Sequence, residues 1–192
     1  MRDRIIIMDG AMGTMIQQRG LDSAEAGSGV SGNLDMLNLV NPDGIAAIHK
    51  AYIEAGAELI ETNTFSGTVI SQQEYGCADK VYEINRRGAE IARAAAEEEG
   101  LSFLKLHEPE GSHNVFCEAG CSGLKGAEAV AWKEEWGERR AIVAGSMGPT
   151  IKSLTLSPDV SKPEYRNVSF DEMAAAFMTQ AEGLIDGGVH QN

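Results

Sequence analysis

The sequence predicts an α/β protein built from repeated β-α units with parallel strands. Three stretches carry that expectation, each a short apolar run that breaks into polar or glycine-rich residues. Ile5-Ile6-Ile7-Met8 runs into Asp9-Gly10-Ala11-Met12-Gly13-Thr14, Glu58-Leu59-Ile60 into Glu61-Thr62-Asn63-Thr64-Phe65-Ser66, and Ala141-Ile142-Val143-Ala144 into Gly145-Ser146-Met147-Gly148-Pro149-Thr150. Buried parallel strands read as continuous apolar runs, and the loops at their carboxyl ends present chemistry. Helical sequence lies between the runs, so the strand ends are expected to share one functional face.

The first strand is expected over residues 4–8. Met12, Met15 and Ile16 fall at helical spacing, which predicts a short helix within Ala11–Arg19. Residues 20–33, rich in Gly, Ser and Ala, form a loop. Asn33–Val40 carries Leu34, Leu37 and Leu39 and leads to Asn41-Pro42, a cap residue followed by a first-turn proline. In the helix that starts there, Ile45, Ile48, Tyr52 and Ala55 share one face and Gly56 ends it. His49, between Ile48 and Lys50, reads as a surface or boundary residue.

Strand two covers 58–65, a turn or short helix 68–76, and a longer helix 79–99 with Ile84, Ile91, Ala92 and Ala95 buried. Residues 100–139 keep no period and read as an insertion, with a short helix around Ala127–Trp136. Strand three spans 141–147, and a polar loop covers 151–168. Ser169-Phe170-Asp171-Glu172 is a capping box, after which Met173, Phe177, Ala181 and Leu184 make one stripe until Gly187-Gly188. The rhythm then demands a fourth strand, where the chain gives Val189-His190-Gln191-Asn192. The sequence therefore reads as a truncated series of β-α units, with strands one and three each keeping an unpaired edge.

Composition bounds the function. The 192 residues suffice for one domain, 1–192, and the apolar content of 43% and charged content of 23% are those of a soluble globular protein. A net charge of −13 speaks against nucleic acid and against an anionic membrane surface, since both need basic patches. No run approaches the roughly 18 apolar residues of a membrane span. The N-terminal apolar run is too short for a signal peptide. Three cysteines, Cys77, Cys117 and Cys121, are an odd count that reads as reduced thiols, so a cytoplasmic location is expected.

Asp9 at the end of strand one has two readings. It holds a ligand's amino group beside glycines 10 and 13, whose bare backbone lets a ligand approach, or it caps the helix that follows. Glu61 and Asn63, at the end of strand two, face the same mouth and favour the first reading. Gly148-Pro149 makes a tight turn at the third strand end. His107, His113, Cys117 and Cys121 invite a metal, but their spacing fits no common zinc site and they read as loop residues of the insertion. Trp132 and Trp136 pack that insertion, and Cys77, with no histidine beside it, is a half-buried structural thiol. There is no phosphate loop, dinucleotide fingerprint or nucleophile elbow.

These residues resemble the homocysteine-binding domain of cobalamin-dependent methionine synthases. The matching pieces are Met8-Asp9-Gly10-Ala11-Met12-Gly13-Thr14-Met15-Ile16-Gln17, Asn38-Leu39-Val40-Asn41-Pro42 and Ala51-Tyr52-Ile53-Glu54-Ala55-Gly56-Ala57. Then come Ile60-Glu61-Thr62-Asn63-Thr64-Phe65, Gly148-Pro149-Thr150, Ser157-Pro158-Asp159-Val160 and Arg166-Asn167-Val168-Ser169-Phe170-Asp171. The resemblance implies a (β/α)8 TIM-type barrel of which about the first three β-α units are present. It implies methyl transfer to the thiol of homocysteine, giving methionine, from methylcobalamin regenerated by 5-methyltetrahydrofolate on folate and cobalamin domains of the parent protein. Transfer from betaine or S-methylmethionine is the related alternative, and a non-catalytic truncated barrel serving binding or assembly is another.

By the same resemblance Asp9 and the turn Gly10, Ala11, Met12, Gly13 and Thr14 bind the amino acid end of homocysteine, with Glu61, Asn63, Thr64 and Gly148 completing the pocket. In that family zinc activates the thiol from a lone cysteine and an adjacent cysteine pair on later strands. This chain has no such pair, so no metal ligand and no catalytic residue is assigned to it, and the chain alone is expected to be inactive.

Overall fold

The structure, a computed structural model, describes residues 5–22, 31–106 and 141–189, and of 99–106 only the helical backbone. Its elements are α1 (Met12–Gln18), α2 (Leu37–Val40), α3 (Pro42–Glu54), β1 (Leu59–Glu61), α4 (Val69–Gln72), α5 (Val81–Leu106), β2 (Ile142–Ala144) and α6 (Phe170–Asp186). Short 3-10 turns occupy Leu34–Met36, Gln73–Tyr75 and Ala78–Lys80.

Among the described residues two strands form a parallel sheet, with Leu59 opposite Ile142, Ile60 opposite Val143 and Glu61 opposite Ala144. The expected strand at 4–8 contracts to a parallel bridge from Met8 to Leu59, supported by the Asp9 N–H on the Leu59 carbonyl at 2.9 Å. Its apolar side chains are not buried as expected. Ile5, Ile7 and Met8 are 88%, 59% and 54% exposed, because nothing described packs beyond this edge. Strands two and three also shorten from 58–65 and 141–147 to three residues each, since the residues after Glu61 and Ala144 turn their hydrogen bonds into loops.

Ile60 and Val143 face a layer of helices and are fully buried with Ala57, Ala92, Ala96 and Ala141. Burying each β-branched side chain contributes roughly 1.5–3 kcal/mol. The small residues of α5 let the helix lie close to the sheet, and α5 packs against both α3 and α6. Gly183 on α6 and Gly187 at its C-terminal cap set that second contact: a Cβ on them would meet the Tyr82 carbonyl at 2.7 Å and the Arg86 carbonyl at 2.4 Å.

The helix starts follow the expected chemistry. Asn41 Oδ1 accepts the Gly44 N–H at 3.0 Å with Pro42 in the first turn of α3. At α6 the Ser169 hydroxyl accepts the Glu172 N–H at 3.2 Å while the Glu172 carboxylate accepts the Ser169 N–H at 2.8 Å. Gly56, with φ +103°, ends α3 in a conformation that favours glycine.

Four expectations need correction. The helix 79–99 continues to Leu106, so its last turns fall in what reads as insertion 100–139. The remainder of that segment, with the helix around 127–136, His107, His113, Cys117, Cys121, Trp132 and Trp136, lies outside the described residues. His49 is completely buried, one turn after Ile45 on the covered face of α3. Among the described residues neither ring nitrogen has a hydrogen-bond partner, and burial holds its pKa down at about 4. Ala55, placed with the buried face, is exposed beside the helix end. Cys77 is more enclosed than half-buried, at 4% exposure among Met36 and Ile84.

Candidate active site

A cavity of about 530 Å3 opens where the ends of Met8, β1 and β2 meet. Its walls are the glycine turn from Asp9 to Gly13, the segment 32–35, the loop 61–66 after β1, and Ser146 after β2. Of the expected site residues Asp9, Gly10, Ala11, Met12, Gly13, Glu61, Asn63 and Thr64 line it. Thr14 is exposed and Gly148 buried, and neither reaches the cavity wall.

The capping reading of Asp9 is not what the structure shows. The cap position of α1 is Ala11, and no side chain caps that helix. Asp9 instead turns to the strand-two end, where Oδ2 accepts the Glu61 N–H at 3.0 Å. Its Oδ1 is buried without a partner among the described residues. Burial pushes the Asp9 carboxyl up to about 6, partly offset by that N–H bond and reinforced by the nearby Glu61 carboxylate. Beneath the turn, Tyr52 packs under Gly10, where a Cβ would meet its hydroxyl at 3.1 Å, and that hydroxyl donates to the Ala11 carbonyl at 3.4 Å.

The loop after β1 is fixed at every carbonyl. Asn38 Nδ2 donates to the Asn63 carbonyl at 2.8 Å, Gln180 Nε2 to that of Thr64 at 2.7 Å, the Gly148 N–H to that of Phe65 at 2.9 Å, and Gln72 Nε2 to that of Ser66 at 3.2 Å. Gln72 is itself braced by a reciprocal amide pair with Asn33, at 2.6 and 3.1 Å. Asn63 spends its own amide on the Leu34 carbonyl at 2.8 Å and on Asn38 Oδ1 at 3.2 Å.

Thr64 donates to the Ser146 carbonyl at 2.8 Å, so its single proton is used. Thr62 must then be the donor in their 2.6 Å contact, and Thr62 in turn accepts the Ser146 N–H at 2.9 Å. This closed ring ties β1 to β2 at the cavity floor. Asn63 and Thr64 therefore shape the cavity while their polar atoms serve the fold. Gly148 acts from behind: a Cβ there would lie 2.5 Å from the Phe65 carbonyl.

Sequence reasoning missed Asp35. It is 5% exposed, lines the cavity, and its Oδ1 accepts the Ser66 N–H at 3.2 Å. Burial pushes its carboxyl up to about 6. The available signal was a charge set between Leu34, Met36 and Leu37 in an otherwise buried run. Phe65, 58% exposed, and Tyr75 add aromatic surface to the wall.

Zinc does not fit the described residues. Among them no three His, Cys, Asp or Glu side chains gather closely enough to hold an ion. Cys77 sits in its apolar cluster with its thiol donating to the Tyr75 carbonyl at 3.3 Å. Among the described residues no helix is long and apolar enough to cross a membrane.

Comparison with solved structures places this fold beside the homocysteine methyltransferase MmuM from Escherichia coli. Its metallated form superposes with a TM-score of 0.57 at 21% identity, over 97% of this chain and 52% of that one. Its oxidized form gives 0.59 at 22%, over 98% and 51%. The chain thus spans about half the length of these structures. The family model for homocysteine S-methyltransferase matches residues 6–191, and the chain belongs to that family.

Proposed function

We propose that this chain forms the amino-acid-binding part of a homocysteine S-methyltransferase, built as the first β-α units of a (β/α)8 barrel. The observation that carries the reading is Asp9: a carboxylate at the cavity head, oriented by the Glu61 N–H, with a buried oxygen that lacks a partner among the described residues. A ligand ammonium supplies the missing donor and the compensating charge. The Gly10–Gly13 turn leaves backbone open for the rest of the amino acid end, Glu61 adds charge at the mouth, and Asn63, Thr64 and Gly148 keep the rim in place. These residues bind and orient. Methyl transfer also requires a thiolate on homocysteine, and among the described residues no metal ligand set gathers that would stabilise one. The chain by itself is therefore expected to bind homocysteine without methylating it.

The methionine synthase type, with methylcobalamin and 5-methyltetrahydrofolate handled by folate and cobalamin domains in the cytoplasm, rests on the sequence motifs above. A sulfonium or betaine donor is the second reading. The cavity favours it by presenting Asp9, Asp35, Glu61, Phe65 and Tyr75 with no basic side chain among its described lining residues, surroundings suited to a cation.

Calorimetric titration of L-homocysteine under reducing conditions tests the binding role. Binding is expected, weakened at least roughly tenfold by Asp9→Asn, the scale for removing a charge-assisted bond. Unchanged affinity in that variant would remove Asp9 from the site.

A further inference from the structure

The loop after β1 is held almost entirely by neutral amides: Asn38, Gln72 and Gln180 on its carbonyls, with Asn33 behind Gln72. One holder differs. The Ser66 N–H is bound by the carboxylate of Asp35. An amide oxygen could also accept this N–H, though a carboxylate accepts it more strongly, so the bond does not by itself require a charge here. A charge at a position 5% exposed is moreover costly. Burial does push this carboxyl up to about 6, yet near neutral pH it is largely ionised.

The compensation for that cost is the cavity. Asp35 and Ser66 both line it, across from the Asp9 turn, where Gly13 approaches Leu34 to 3.5 Å from its Cβ position. Among the described residues of the lining, Asp9, Asp35 and Glu61 are the charged ones, and no Lys, Arg or His is among them.

We infer that Asp35 is a second specificity-determining carboxylate of this cavity, selecting ligands that carry an ammonium group while its bond to Ser66 holds the rim in register. The assignment rests on the reading of the cavity as an amino-acid site. It goes beyond the Asp9 contact because it gives the wall formed by 33–35 a role in recognition and not only in support.

The test compares L-homocysteine, its des-amino analogue 4-mercaptobutyrate, and L-norvaline, which keeps the amino acid end without the thiol. Binding to the 192-residue chain and to Asp35→Asn is measured by calorimetry, with amide exchange at Ser66 followed by NMR. Wild type is expected to prefer homocysteine over 4-mercaptobutyrate by at least roughly tenfold, the scale of a charge-assisted contact. Asp35→Asn keeps the acceptor, so Ser66 protection is expected to persist. Homocysteine affinity should fall about fivefold or more, and 4-mercaptobutyrate affinity should not change.

Equal binding of homocysteine by Asp35→Asn and wild type would overturn the inference and leave the homocysteine reading standing. So would a parallel loss of both thiols or of Ser66 protection, which marks a purely structural role. A wild type that binds norvaline as well as homocysteine, with selection abolished by Asp35→Asn, would sustain the inference and overturn the homocysteine reading. A wild type with no preference for the ammonium overturns both.

Discussion

Two carboxylates at the cavity are asked to stay ionised where burial favours their protonated forms. Asp9 and Asp35 both have folded-state values of about 6 against 3.8 for the free side chain. An acid whose pKa rises on folding adds stability below the unfolded value, and that contribution disappears as pH climbs through the folded value. For Asp35 the window runs from near 4 to near 6, and above it the buried charge opposes folding by on the order of 2–3 kcal/mol. Asp35→Asn is therefore expected to raise the thermal midpoint at pH 7.5 and to change it little near pH 4, as read by circular dichroism melts. A lower midpoint at pH 7.5 would show that the charge supports the fold. For Asp9 the consequence lies in binding. Homocysteine affinity should be flat from neutral pH up to the range where the ligand's own ammonium loses its proton, and fall by up to roughly tenfold per pH unit below about 6, as the carboxylate takes up the proton that competes with the ligand ammonium. Calorimetry across that range checks it, and a pH-independent affinity would place the ammonium elsewhere.

Elements reach the site through a few close contacts. Gly88 on α5 illustrates one, since a Cβ there would lie 2.6 Å from Asn38 Nδ2 and 2.7 Å from Thr64 Cγ2. Gly88→Ala should push α5 off the rim, lowering stability by the roughly 1–3 kcal/mol typical of overpacking and weakening homocysteine binding with it. Ser169→Ala removes the α6 capping box and should cost about 1 kcal/mol while leaving binding nearly intact, because the cap lies far along α6 from Gln180. Denaturant melts measure both, and equal effects on binding would contradict the division between rim and cap. The cap was legible in the sequence because its chemistry is local, Ser and Glu three residues apart. So was the turn at Asn41-Pro42. His49 was not: its burial follows from packing on α3, and a polar residue between Ile48 and Lys50 gives no local sign of it. Asp35 escaped for the same reason, as its partner Ser66 is 31 residues away.

For the molecule as a whole, the order of the strands and helices was readable because apolar runs alternate with helical sequence. The expected strand at 4–8 shortened to a bridge, because a strand needs a partner as well as apolar residues, and among the described residues it pairs with the backbone of Glu58 and Leu59 alone. Of the cavity residues, Asp9 and Glu61 were legible as strand-end polar residues and the turn 10–13 from its glycines and the family resemblance, while the amide framework beneath them depends on contacts between distant segments. The described residues leave Ile5, Ile7 and Met8 exposed at one sheet edge, and Phe170, Met178 and Ile185 exposed along α6. Open edges and apolar stripes of this kind associate. Light scattering should show mass rising with concentration, and Ile7→Lys with Met178→Lys should reduce it; a constant monomer mass would show these surfaces inert.

The central claim is that homocysteine sits between the Asp9 turn and the loop after β1. Mapping amide shifts of the isotope-labelled chain during titration with L-homocysteine tests it most directly. The account predicts movement at Gly10, Gly13, Glu61 and Ser66, with α3 and the outer turns of α6 unmoved. Saturation without change at those four amides, or change confined to other surfaces, would contradict it.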